Sequence, residues 1–111
     1  MKKLLLLSLA LITLSATSQI EKIEGIWESD ESEYLTVIFY SNGKFTFKNV
    51  GESNLKEVVV NQGKDFVTTS LKNPENNHKV IIKYTLLNSG KMNASFVGDY
   101  HGIVIHRRYN E

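Results

Sequence analysis

Lys79-Val80-Ile81-Ile82-Lys83-Tyr84-Thr85-Leu86-Leu87 runs into Asn88-Ser89-Gly90-Lys91, and Met92-Asn93-Ala94-Ser95-Phe96-Val97-Gly98 follows. In the first stretch Val80, Ile82, Tyr84 and Leu86 oppose Ile81, Lys83, Thr85 and Leu87. In the last, Met92, Ala94 and Phe96 oppose Asn93, Ser95 and Val97. A period of two is the period of a strand, whose side chains leave alternate faces. Between the two alternating runs stands a glycine able to take a positive φ, which is the pattern of a β-hairpin.

The same plan recurs outward along the chain. Ser41-Asn42-Gly43-Lys44 and Asn61-Gln62-Gly63-Lys64 also place a glycine, then a lysine, between alternating apolar runs. Longer turns are expected at Val50-Gly51-Glu52-Ser53-Asn54 and Lys72-Asn73-Pro74-Glu75-Asn76-Asn77. Reading between these marks predicts eight strands: Ile23–Ser29, Tyr34–Tyr40, Lys44–Val50, Leu55–Asn61, Asp65–Lys72, Lys79–Leu87, Lys91–Gly98 and His101–Tyr109. Strands joined by short turns pair antiparallel, so the simplest topology is an up-and-down meander. Closing it into a small barrel removes the open edges that invite aggregation. An open β-sandwich is the alternative.

Composition agrees with an all-β domain. From Gln19 onward there are one alanine and five leucines, against 9 Val, 8 Ile and 11 aromatic residues. Residues suited to a pleated, half-buried surface dominate over helix formers. Within single strands, Phe45 and Phe47 oppose Lys44, Thr46 and Lys48. In the last strand Ile103, Ile105, Arg107 and Tyr109 share one face, opposite Val104, His106 and Arg108, and the isoleucine-bearing face is expected to point inward. Tyr34–Tyr40 and Val58–Val60 are apolar on both faces, which points to outward apolar side chains and a covering segment or contact.

The chain of 111 residues has room for one domain. Residues 1–18 read as a secretory signal: Lys2-Lys3 supply the positive start, Leu4 to Leu14 the apolar run, and Ala16-Thr17-Ser18 a small-residue cleavage site before Gln19. That run is too short for a bilayer span, which needs roughly 20 residues. The sequence has no cysteine, so it offers no lipid-attachment residue at the cleavage point, no disulfide framework and no thiolate zinc site. The expected product is residues 19–111 as one exported, soluble domain, periplasmic or extracellular, without a lipid anchor. It carries 11 basic and 12 acidic residues. Such a balance gives no electrostatic reason to expect nucleic acid or an anionic membrane as partner.

Gly25-Ile26-Trp27 stands at the start of the first strand, and Arg107-Arg108-Tyr109 stands on the last. This pairing resembles the calycins, the superfamily of lipocalins and fatty-acid-binding proteins. There a Gly-x-Trp opens the first strand, and an arginine of the last strand packs over the tryptophan at the closed end, a place expected here for Arg107 over Trp27. Arg107 and Tyr109 are also similar to the Arg-x-Tyr with which fatty-acid-binding proteins hold a ligand carboxylate. The resemblance implies a ligand-binding barrel with Trp27 as its floor and Arg107 and Tyr109 as its polar grip. Independently of any family, a guanidinium over an indole gains about 0.5–2 kcal/mol. An arginine facing an interior must also find hydrogen-bond partners.

Other constellations are sparse. Glu28, Asp30, Glu31 and Glu33 are rich in oxygen but lack the spacing of a calcium loop, and read as a solvated acidic tip. His101 and His106 differ in parity and would face opposite sides of one strand. Asp99 and His101 share a face and read as a surface loop. Gly-x-Ser-x-Gly, His-Glu-x-x-His and glycine-rich phosphate loops are all missing from the sequence. No catalytic residue, metal site or cofactor is therefore assigned, and the reading is non-enzymatic. The function expected is binding of a small apolar or amphipathic ligand inside the barrel, lined by Trp27, Phe39, Phe45, Phe47, Tyr84, Phe96, Arg107 and Tyr109. The alternative is a protein-binding or inhibitory barrel that uses loops and an outer apolar face and has no cavity.

Overall fold

A computed structural model describes residues 19–51 and 54–109. The expected export signal at 1–18 lies outside the described residues. A 3-10 helix at Gln19–Ile23 precedes eight strands: β1 (Gly25–Glu28), β2 (Leu35–Ser41), β3 (Lys44–Val50), β4 (Lys56–Gln62), β5 (Val67–Asn73), β6 (His78–Leu86), β7 (Met92–Gly98) and β8 (Gly102–Arg108). All pairings are antiparallel, and the strands form one sheet in the order β3-β2-β1-β8-β7-β6-β5-β4. The first and last strands of the chain pair, so the meander curls into a nearly closed barrel. A seam remains between β3 and β4, the two ends of that order.

Turn chemistry accounts for most of the register. Asn42 and Gly43 both have positive φ (52° and 78°), as a two-residue turn twisted to match its strands requires, and Ser41 pairs with Lys44 across it. The turn after β4 departs from the expected plan. Gln62 pairs with Val67, the Gly63 amide donates to the Phe66 carbonyl at 2.9 Å, and Gly63 does not take a positive φ. A Cβ on Gly63 would lie 2.2 Å from the Phe66 ring, so the glycine there makes room for an aromatic side chain. Strand β5 accordingly starts at Val67, not at Asp65.

The two ends of the barrel differ. At one end Ile20 and Ile23 of the 3-10 helix are buried beside Trp27, and the helix reaches across to β6. The middle is filled by Ile38, Phe45, Phe47, Val67, Ile82, Tyr84, Met92 and Ala94. At the other end the loops β1–β2, β3–β4, β5–β6 and β7–β8 surround an opening. A filled middle is what eight strands permit, because that circumference leaves little beyond the volume of its own side chains.

The inward face of β8 is the reverse of the one expected. Val104 and His106 are buried, whereas Ile103, Ile105, Arg107 and Tyr109 are exposed. Register decides this: Ala94 pairs with Val104 and Met92 with His106, and residues directly opposite on paired strands share a face. Phe39 also faces outward, because Thr36 and Ile38 of the same strand hold the interior. Strand β4 carries a bulge between Val59 and Asn61, and both Val58 and Val60 are left exposed.

Candidate functional site

The closed end is organised by Trp27. Its indole N–H donates to the Ile23 carbonyl at 2.7 Å, and the Arg108 guanidinium lies 4.1 Å from the ring centroid. Arg108 also donates to the carbonyls of Glu24, at 2.6 Å, and of Lys22. One side chain thus stacks on the indole and binds carbonyls that the short helix leaves free. Gly25 has φ 141°, and a Cβ on it would fall 2.3 Å from Arg108 Nη1. A side chain at this position would push the guanidinium aside, so the glycine of Gly-x-Trp leaves the arginine its place over the indole.

Arg108, not Arg107, is the arginine over the tryptophan. Trp27 pairs with Arg108 and Glu28 with Arg107, which turns the Arg107 side chain to the outside. There it binds Asp30 at 2.9 Å and Glu28 at 3.5 Å. Tyr109 is likewise exposed, with its backbone amide donating to Ile26. The pair expected to grip a carboxylate thus faces away from the interior.

At the open end a cavity of about 570 Å³ is reached from solvent between the four loops. Its walls include Leu55, Leu71, Val80, Phe96 and Val104, with Tyr34 and Tyr100 at the rim and His106 among the deepest lining residues. Phe96 meets Tyr100 edge-to-face at 5.3 Å. His106 is 4% exposed, and its Nδ1 is shielded from solvent without a hydrogen-bond partner. Burial holds its imidazole below the ordinary histidine value, so the neutral form is favoured; the Val104 backbone opposes this only in part and does not reach Nδ1 with hydrogen-bond geometry. Charged groups at the mouth are Glu31, Glu33 and Lys79.

A second polar cluster lies under the seam. Glu57 of β4 is buried and accepts from the Tyr84 hydroxyl at 2.5 Å, the Thr69 hydroxyl at 2.7 Å and the Asn49 amide at 3.2 Å. Burial pushes the Glu57 carboxyl up, and the three donors pull it part of the way back. The Tyr84 phenol is raised well above its ordinary value, by burial first and by the neighbouring Glu57 charge second. Phe47 stacks on Tyr84 at 4.9 Å, and Tyr84 meets His106 edge-on at 6.4 Å. With the bond from Gln62 Nε2 to the Gly43 carbonyl, the Asn49–Glu57 bond links β3 to β4 where no ladder does. A cavity of about 430 Å³ opens along this seam beside Phe45, Phe47 and Glu57.

The eight residues expected to line a ligand site are therefore dispersed. Trp27 seals the far end, and Phe45, Phe47 and Tyr84 fill the middle. Phe39, Arg107 and Tyr109 are outside, and only Phe96 lines the open-end cavity. His106, Val104, Val80 and Leu71 were missed as lining residues. Their signal is parity with Ala94 and Tyr84, which becomes readable once the register of β5 to β8 is known. Glu57 was missed because a charged residue beside three valines reads as the solvent face.

Among the described residues no group of three or more His, Asp or Glu side chains could hold a metal ion, and no helix is long and apolar enough to cross a membrane. Comparison with protein-family models, with curated proteins and with solved structures returned no match.

Proposed function

We propose that this chain is an exported small barrel that takes up a small apolar or amphipathic ligand at its open end, on the plan of the calycins. The observation that carries the reading is the cavity of about 570 Å³ with Leu71, Val80, Phe96 and Val104 in its wall. That volume falls within the range of about 300–1,000 Å³ typical of small-molecule sites. The sealed end supports the same reading, since Trp27 and Arg108 close one mouth and leave the other as the way in. A second reading draws on the outer face of β6 to β8, where Ile81, Val97, Ile103 and Ile105 are exposed, Ile103 at 64%. Such a face suits a protein partner.

Native mass spectrometry of protein purified from its own host separates the two. A retained small molecule, lost when Val104→Trp fills the cavity and kept when Ile103→Lys alters the outer face, is the expected result. A retained protein chain released by Ile103→Lys, with no small molecule in any preparation, would put the partner reading in its place.

A further inference from the structure

We propose that the outer wall formed by β4 to β7 docks on anionic lipid bilayers, with its lysines on the lipid phosphates and Val58, Ile81 and Val97 among the head groups. The inference goes beyond the ligand reading and is independent of it, since it rests on the outer face and not on the cavity.

From Gln19 onward the chain carries 11 basic and 12 acidic residues, a balance that the fold separates in space. Strands β2 to β8 contain one acidic residue, Glu57, and it is buried on the inner face. The other described acids stand ahead of β2 or in the later turns. By contrast Lys44 and Lys48 of β3, Lys56 of β4, Lys72 of β5, and Lys79 and Lys83 of β6 are all exposed. Backbone pairing concentrates three of them. Lys56 lies directly opposite Lys72, and Lys72 directly opposite Lys79, so three ammonium-bearing side chains occupy one row across neighbouring strands. Like charges placed in this way destabilise a sheet. Asp99 and Glu75 stand in the adjoining turns, where Asp99 accepts the Lys79 backbone amide and Glu75 the Asn54 side-chain amide. Among the described residues, ion pairs occur at Arg107 and at none of these lysines.

The next row along the same wall is apolar. Val58 lies opposite Ser70, Ser70 opposite Ile81 and Ile81 opposite Val97, and all three apolar side chains are exposed. A soluble polyanion would engage the lysines and leave this stripe in water. At an anionic bilayer both rows gain. Each lysine near the surface strengthens partitioning about fivefold, and apolar side chains enter the boundary between head groups and acyl chains. Lysine stems can lie along apolar surface while their charged ends stay in water, which suits that boundary. The strand order also sets β5 across the barrel from β1, so the acidic β1–β2 loop, with Asp30, Glu31 and Glu33, leaves from the far side. The wall can therefore approach an anionic surface with that loop turned away.

The test is co-sedimentation of the protein, purified from its own host, with sucrose-loaded vesicles. One set is phosphatidylcholine alone, and the other is a mixture of phosphatidylcholine and phosphatidylglycerol at about 7:3. Binding to the mixed vesicles alone is expected, and it should weaken as salt is raised. Lys56→Gln, Lys72→Gln and Lys79→Gln together should lower the partition coefficient at least about tenfold. Lys22→Gln, Lys64→Gln and Lys91→Gln remove the same charge at the closed end and should change it less than about twofold. Ile81→Ser with Val97→Ser should weaken binding several-fold although every lysine remains. Far-UV circular dichroism checks that each variant keeps its strands, and the comparison of the two vesicle sets needs no variant. An unaltered protein that ignores the mixed vesicles overturns the proposal. So does an equal loss from the two lysine triples, which would make binding a matter of net charge. Vesicle binding indifferent to Ile81→Ser and Val97→Ser, with dextran sulfate bound as tightly, gives the wall to a soluble polyanion instead. A host protein released by the Lys56, Lys72 and Lys79 replacements, with no vesicle binding, gives it to an acidic protein partner, and the proposal falls.

Discussion

Removing the Arg108 side chain tests the account of the closed end. The guanidinium loses its place 4.1 Å from the Trp27 ring centroid and its bonds to the Glu24 and Lys22 carbonyls. A cation–π contact is worth about 0.5–2 kcal/mol, and a hydrogen bond from a charged donor about 1.5–3 kcal/mol when fully shielded. Arg108 remains in contact with water, which can replace it on the carbonyls, so the lower ends apply. Arg108→Ala is therefore expected to cost about 2 kcal/mol, with a fall in Tm of about 8–16 °C for a domain of this size. Trp27→Ala should cost about 3–5 kcal/mol as the loss of a buried large aromatic. The double variant should cost less than the two single losses together, by about 0.5–1 kcal/mol, because both delete the same contact. Gly25→Ala supplies an independent arm. Its new Cβ would collide with Arg108 Nη1, so part of its penalty should vanish in the Arg108→Ala background, leaving the strain of an alanine at φ 141°. Urea denaturation midpoints and slopes measure all of these. Strict additivity of Trp27 and Arg108, with a Gly25→Ala penalty indifferent to Arg108, would overturn this account of the closed end.

Four further outcomes are expected, three from the structure and one from the sequence. Arg107→Ala should leave the urea midpoint unchanged within error, since that side chain makes only exposed ion pairs with Asp30 and Glu28. Burial lowers the folded-state value of His106, so its contribution to stability is present above 6.5 and is lost as pH falls through its folded value; His106→Gln should flatten that limb in thermal melts. The folded-state value of Glu57 is raised, so its contribution is present below 4.5 and is lost as pH rises through its folded value; Glu57→Gln should remove that second dependence. For export, N-terminal sequencing of the secreted product should begin at Gln19, and a product that begins at Met1 would overturn the signal assignment.

The part of the fold legible along the chain is local. Strand period, turn residues and the scarcity of alanine and leucine act over two to eight residues, and they specify eight antiparallel strands with nearly the observed limits. The Gly-x-Trp opening and a C-terminal arginine were readable too, because each is a short pattern at an expected place. Which arginine meets the tryptophan was a different kind of question. Arg107 and Arg108 are adjacent, and successive residues leave a strand on opposite faces, so the answer turns on a register shift of one. Tertiary pairing settles it: Trp27 sits opposite Arg108, and Ala94 sits opposite Val104. The same pairing puts Ile103 and Ile105 in solvent although they are the more apolar choice, and puts His106 inside. It also brings Glu57, Thr69 and Tyr84 from three strands onto one carboxyl. Hydropathy along one strand cannot report such a decision, because the inward face of β8 is imposed by hydrogen bonding to its neighbours rather than chosen by its own side chains.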